Sequence, residues 1–240
     1  MKRKLSGRRL LIGTALAVVV AILTCWGLYV LMNSRTYQVA GRIVARVETT
    51  EKVVALTLDD GPTERTPQIL QALADAGIPA TFYLIGSELA AHPEQGAAIA
   101  RAGHEIGNHT YNHRRMVLVG PATVRDEVER TDAEIAETGY RGPITFRPPN
   151  GKKLFALPRY LSDHDRTTVM WDVEPDSGKS ATADEIVAET LARVRPGSII
   201  LLHAMYPAGD PSLAAIPRIA AGLRAEGYRF VTVSRLLADK

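Results

Sequence analysis

The sequence predicts an α/β protein: a distorted, seven-stranded (β/α) barrel of parallel strands, preceded by one transmembrane helix. Three observations lead to it. Short apolar, β-branched runs alternate with helix-like segments from Val53 to the end of the 240 residues, the pattern of a parallel sheet whose strands are buried on both faces. Gly77, Gly103, Gly139 and Gly227 stand just past four of the helical segments, where a left-handed cap ends a helix. Ahead of all this, Leu10 to Met32 carries no charge.

That apolar stretch of 23 residues makes a helix of about 35 Å, enough to cross a hydrocarbon core of ~30 Å. Trp26 and Tyr29 lie towards its far end, where amphipathic rings favour the interface. Lys2, Arg3, Lys4, Arg8 and Arg9 precede it and should stay cytoplasmic, which puts the rest of the chain outside a plasma membrane crossed once. A cleaved signal peptide is the rival reading. However, Leu31-Met32-Asn33-Ser34 offers no A-x-A-like site and Ala15-Leu16-Ala17 falls too early. Cys25, the single cysteine, reads as a membrane-embedded thiol, and without a second cysteine there is no intramolecular disulfide or cysteine metal cluster. The expected organisation is a basic cytoplasmic segment (1–9), an anchor (10–32), a linker (33–52) and one α/β domain (53–240).

The basic cluster also accounts for the sequence pI near 9.0. Without it 24 basic residues face 26 acidic ones, and no basic stripe interleaved with aromatics follows, which excludes a nucleic-acid partner.

The expected strands are Val53–Leu58, Thr81–Ile85, Glu105–Gly107, Ile144–Phe146, Thr168–Trp171, Ser198–Leu202 and Arg229–Val233. Between them the expected helices are Thr66–Ala76, Glu88–Ala102, Ala122–Thr138, Leu154–His164, Ala183–Val194 and Ser212–Glu226. Seven strands in so short a span fall below the ~250 residues of a full (β/α)₈ barrel. An open or distorted barrel is the first choice and a doubly wound sheet the second.

The polar residues that could carry chemistry sit at the C-terminal ends of the strands, where active sites lie in parallel α/β architectures. Asp59-Asp60-Gly61-Pro62 leaves the first strand. Adjacent carboxylates normally diverge there, so one can hold a metal while the other stays free; the competing reading is a solvated turn. His109 and His113 follow the third strand at i and i+4, which on a helical turn would share one face. Joined to Asp60 they make a two-histidine, one-carboxylate set that leaves coordination positions open. Arg147, held by Pro148 and Pro149 at the end of the fourth strand, could pair with Asp59, or form a surface ion pair. His203 ends Ile199–Leu202, a position open to a structural or a catalytic role.

Together these residues resemble the polysaccharide deacetylase family and its NodB homology domain (carbohydrate esterase family 4) from about Val53 to Leu237. The T-F-D-D-G-P motif is similar to Thr57–Pro62, H-[ST]-x-x-H to His109–His113, R-P-P-Y-G to Arg147–Gly151, and L-x-H to Leu201–His203. The resemblance implies that Asp60, His109 and His113 bind a divalent metal, zinc first, with cobalt or nickel as alternatives. It further implies that Asp59 is the general base, His203 the general acid, Arg147 the residue that holds Asp59, and the backbone N–H of Asn150 a donor to the oxyanion.

Two departures stand out. Asn150 replaces the usual aromatic. In the fourth motif the family shows a tryptophan and then, six residues on, Asp-Trp, whereas here Trp171 is followed at those slots by Ser177 and Gly178. The missing aspartate normally keeps the acid histidine protonated, and Glu174 or Asp176 is expected to substitute for it. The implied function is hydrolytic N-deacetylation of an envelope or exterior amino-sugar polymer, peptidoglycan or chitin-type. The alternatives are a membrane-tethered glycan-binding pseudoenzyme, or an amidohydrolase or deformylase acting on a smaller amide or a lipid-linked sugar. Oligomeric state is left open.

Overall fold

In the computed structural model, residues 7–177 and 181–238 are described. The chain runs α1 (Gly7–Asn33), β1 (Ile43–Val44), β2 (Val53–Asp59), α2 (Thr66–Ala76), β3 (Thr81–Leu84), α3 (Gly86–Ala91), α4 (Pro93–Arg101), β4 (Glu105–Asn108) and α5 (Pro121–Glu137). It continues through α6 (Ala156–Asp163), β5 (Thr168–Val169), α7 (Ala183–Arg193), β6 (Ile199–Leu202), α8 (Asp210–Ala225), β7 (Arg229–Phe230) and α9 (Val233–Ala238).

The fold is α/β with parallel strands. A central ladder runs β4-β3-β2-β6, with β7 on the N-terminal half of β2, and β1 pairs with β5. Single parallel bridges, Asn108 to Phe146, Phe146 to Thr168 and Val173 to Ile200, carry the array from β4 round to β6. These links, unlike the central ones, are one residue wide.

β2 shows why both faces are buried. Val54, Leu56 and Leu58 enter the cluster that also holds residues of α2 and α8, whereas Val53 and Ala55 join Tyr83, Val169, Ile199 and Leu201. Side chains alternate across a strand, so Thr57 and Asp59 continue the second face. The carboxylate that ends β2 is thus the last member of a buried apolar row.

Several expectations need correction. Ile144–Phe146 forms no strand and contributes only the bridges at Phe146. The single helix expected over Glu88–Ala102 is two, because Pro93 opens α4 and His92 before it has left the helical region, as residues preceding proline do. Residues 33–52 are no free linker: β1 pairs with β5, Val47 is buried, and its N–H donates to Gly197 O at 2.9 Å. The basic segment 1–9 falls largely outside the described residues. α1 holds an apolar span, Leu10–Asn33, with a mean hydropathy of 2.4, and none of its most apolar stretch is buried against the rest of the chain. The four cap glycines all take positive φ, between 64° and 87°.

Gly107 of β4 is required by the ring beside it: a Cβ there would lie 2.5 Å from Tyr83 Cε1. Tyr83 is fully buried, so the ring has nowhere to go. Gly107→Ala should cost about 1–3 kcal/mol through overpacking. Thermal unfolding should show a Tm lower by roughly 2–4 °C per kcal/mol for a domain of this size; an unchanged Tm would contradict this packing.

Candidate active site

The site begins where β2 ends. Asp59 is still extended, but Asp60 turns into the left-handed region (φ 74°) and Gly61 follows it there (φ 67°). The turn sends the two carboxylates apart. Asp59 Oδ1 accepts from Arg147 Nη1 at 2.6 Å, while Asp60 Oδ1 faces His113 Nε2 at 3.3 Å and His109 Nε2 at 3.8 Å.

Arg147 is fully buried. Its Nε and Nη2 donate to Val169 O (3.2 Å) and Met170 O (3.1 Å), and Nη1 also reaches Thr57 Oγ1 at 2.7 Å. The guanidinium lies 4.1 Å over the Tyr83 ring. Charge, planarity and four of the five N–H donors are used, which a lysine could not do. Because Oδ1 of Asp59 is taken, Oδ2 is the oxygen left facing the site, 3.8 Å from His109 Nε2.

The two histidines do not share a helical turn. Thr110 and His113 have positive φ (68° and 53°), which a right-handed turn cannot contain. A loop brings the rings together, centroids 5.1 Å apart. Glu127 of α5 pins it, accepting from Asn112 N and from Asn112 Nδ2, each at 2.9 Å. Asn108 adds a second brace: its Oδ1 accepts from Thr110 N at 2.9 Å and its Nδ2 donates to Asp132 Oδ1 at 2.8 Å. Neither Glu127 nor Asn108 was expected. A signal existed for Glu127, a carboxylate within the buried stripe Val124, Val128, Thr131 and Ile135 of α5.

His109 Nδ1 lies 2.7 Å from Arg147 O. A carbonyl only accepts, so Nδ1 carries the proton and the Nε2 lone pair faces Asp60. Burial pushes this imidazole below its ordinary pKa, against the raising effect of Asp59 and Asp60. Neutral imidazole with its other nitrogen donating to a carbonyl is the usual state of a ligating histidine.

These three residues fit a divalent cation. Their donor atoms lie within 4.8 Å of one another, and two ligands on a tetrahedral ion at ~2.0–2.1 Å would sit roughly 3.4 Å apart. Asp60 Oδ1 is buried with no hydrogen-bond partner among the described residues, a cost that coordination would remove.

His203 closes the opposite side. Asp176 Oδ1 lies 3.2 Å from His203 Nδ1, and Asp176 Oδ2 accepts from His203 N (2.6 Å) and Ser212 Oγ (2.7 Å). Burial alone would depress His203, but the hydrogen bond to Asp176 and the charges of Asp59, Asp176 and Asp60 outweigh it and raise its pKa to about 9. Glu174 does not reach His203. It accepts instead from Trp171 Nε1 and Arg35 Nη2, both at 2.5 Å, so of the two expected carboxylates only Asp176 is placed to tune the imidazole. Ser177 lines the pocket, and Gly178 lies outside the described residues.

Asn150 takes the left-handed conformation (φ 54°) that Asn tolerates better than most residues, and its Oδ1 accepts from Arg115 Nε at 2.7 Å. A pocket of about 290 Å³ gathers Asp59, Asp60, His109, His113, Asn150, Trp171 and His203, with Arg35 as a further wall. Arg35 was not expected; its guanidinium stacks 4.4 Å from the Trp171 ring.

Comparisons with known proteins agree with this geometry. The polysaccharide deacetylase family profile matches residues 46–169. Two peptidoglycan-N-acetylglucosamine deacetylases of Bacillus cereus are similar. One is 36% identical over 183 residues, 75% of this chain and 66% of its own length. The other is 33% identical over 203 residues, 83% and 95% respectively. The crystal structure of a peptidoglycan N-acetylglucosamine deacetylase superposes with a TM-score of 0.76 at 32% identity, over 80% of this chain and 91% of that one.

The purified chain should take up one equivalent of divalent metal, measured by elemental analysis, and Asp60→Ala should abolish stoichiometric uptake. Glu127→Ala touches no ligand yet frees the His113 loop, and should weaken affinity about 10-fold or more. Unchanged affinity in Glu127→Ala would mean that the loop holds its shape without it.

Proposed function

Because this chain belongs to the polysaccharide deacetylase family, and is thus a hydrolase of acetylated glycans, we propose that it removes N-acetyl groups from an amino-sugar glycan outside the membrane. We further propose that α1 is an uncleaved anchor for the catalytic domain. The observation that carries the catalytic reading is the convergence of one restrained carboxylate, a three-residue cation site and a protonated imidazole on one pocket. The names of the similar proteins, which are peptidoglycan deacetylases, support a glycan substrate.

Asp60, His109 and His113 would hold the cation, zinc by the chemistry of the set, with cobalt or nickel as alternatives. When bound, such an ion acts as a Lewis acid on the acyl carbonyl and lowers the pKa of water. The residues of the chain supply the rest. Asp59 Oδ2 takes a proton from the attacking water, while Arg147 keeps Oδ1 fixed and so sets the direction of Oδ2. The backbone N–H of Asn150 is proposed to donate to the oxygen on which charge develops. His203, charged below about pH 9, gives its proton to the nitrogen as the C–N bond breaks, and acetate and the free amine leave. Asp176 fixes the His203 tautomer by holding Nδ1, which leaves Nε2 to donate.

Acetate release from peptidoglycan and from N-acetylglucosamine oligomers, with the metal-loaded chain, tests the reading. Asp59→Asn should abolish turnover while leaving metal uptake intact. Metal uptake with no acetate from any glycan would leave a binding protein instead.

The acid must be protonated, so kcat/KM should fall as pH rises through the His203 pKa, near 9. Asp176→Asn removes the charge that raises it and should move the alkaline limb towards neutrality. Glu174→Gln should leave that limb in place, and a limb that moved equally in both variants would argue against this division of roles.

A further inference from the structure

The end of the anchor is built into the wall of the active site. α1 ends at Asn33, and Arg35, two residues on, lines the pocket beside Asp59, Trp171 and His203. The junction is docked at several points. Lys152 Nζ donates to Asn33 Oδ1, Lys153 Nζ donates to Ser34 O, and Lys153 N donates to Met32 O at 3.4 Å. Arg35 Nη2 is bonded to Glu174 Oε2 at 2.5 Å. Lys152 and Lys153 directly follow the Asn150–Gly151 turn that forms another side of the pocket. The chain beyond has no slack, since β1 pairs with β5 and Arg46 bridges to Ser198.

These contacts set a distance. Leu10–Asn33 is 24 residues long, about 36 Å of helix against a hydrocarbon core of ~30 Å. Its far end therefore emerges at the headgroups, where Trp26 and Tyr29, both largely exposed on the helix, would sit. Two extended residues add at most about 7 Å. A flexible stem of twenty residues would have let the pocket wander roughly 25 Å from the surface; the docked junction does not.

We propose that the catalytic mouth is held at the outer headgroup layer and that its substrate is an N-acetylated amino sugar carried there on a lipid, not a glycan strand farther out in the envelope. This rests on the deacetylase and anchor readings above.

The test uses the full chain, metal-loaded, in phosphatidylethanolamine/phosphatidylglycerol vesicles. One probe is N-acetylglucosamine linked to a dialkylglycerol in the same vesicles, and the other is the soluble N-acetylglucosamine tetramer. The variant carries a Gly/Ser insertion of about 30 residues between Leu31 and Met32. It leaves Met32–Arg35 free to dock but lets the domain leave the surface. The wild type should deacetylate the vesicle-borne sugar faster than the tetramer. The insertion should slow the vesicle-borne reaction about 10-fold by dilution of the mouth from the surface, with the tetramer rate, which also reports folding, changed less than about twofold. An unchanged vesicle-borne rate in the insertion variant, or a faster tetramer rate in the wild type, overturns the proposal. Acetate from neither probe withdraws the deacetylase reading itself, and release of the chain by alkaline wash withdraws the anchor reading; either takes this inference with it.

Discussion

The buried pair between Arg147 and Asp59 is the constraint on which the site depends. A guanidinium with no solvent contact is expensive to place, and breaking such a pair from one side typically costs ~3–5 kcal/mol because the remaining charge is stranded. Here the donors join two segments: Nη1 bonds Asp59 and Thr57 on β2, while Nε and Nη2 bond Val169 on β5 and Met170 just beyond it. The same residue's carbonyl orients His109. One side chain thus fixes the free oxygen of Asp59, and its own backbone fixes the tautomer of a cation ligand. The bonds to Val169 and Met170 lie beside the single bridge from Phe146 to Thr168, and those to Asp59 and Thr57 tie this part of the array to the central strand β2.

The surroundings give two histidines opposite protonation states. His109 is buried, donates to a carbonyl and stays neutral, whereas His203 has a carboxylate on Nδ1 and stays charged. Burial depresses both imidazoles, and the difference comes from Asp176. Separation of similar titratable groups by environment is how a fold assigns one to binding and another to proton transfer. The two aspartates divide by partner: Asp59 is ion-paired with Arg147, and Asp60 is left with a buried oxygen that has no hydrogen-bond partner among the described residues.

Much of this was legible in the sequence because strand ends report themselves. Asp59, Asp60, Arg147 and His203 each follow an apolar run, and in a parallel barrel such positions converge on one mouth. The failures have physical causes. Spacing of i and i+4 suggested a helical turn for His109 and His113, but two left-handed residues and the Glu127 brace make a loop that reaches the same end. Ile144–Phe146 reads as a strand because it is apolar and β-branched, yet packing such residues needs no ladder. Residues 33–52 look polar enough for a linker, and only tertiary pairing shows that Ile43, Val44 and Val47 belong to the core. Nothing in the local pattern around Arg35 points to a pocket, since its partners are more than a hundred residues away.

Arg35 also bears on the altered fourth motif. Trp171 is retained at its strand end and lies between two guanidiniums, Arg147 at 5.4 Å and Arg35 at 4.4 Å. Two like charges on one indole would repel, but each has its own carboxylate, Asp59 for the inner and Glu174 for the outer. Glu174 also binds the indole N–H, so the stack is closed at its edge. The stack is completed by Arg35, from the chain ahead of β1. This wall of the pocket is therefore a planar guanidinium paired with a carboxylate, Arg35 with Glu174, and it comes from a segment that precedes Val53.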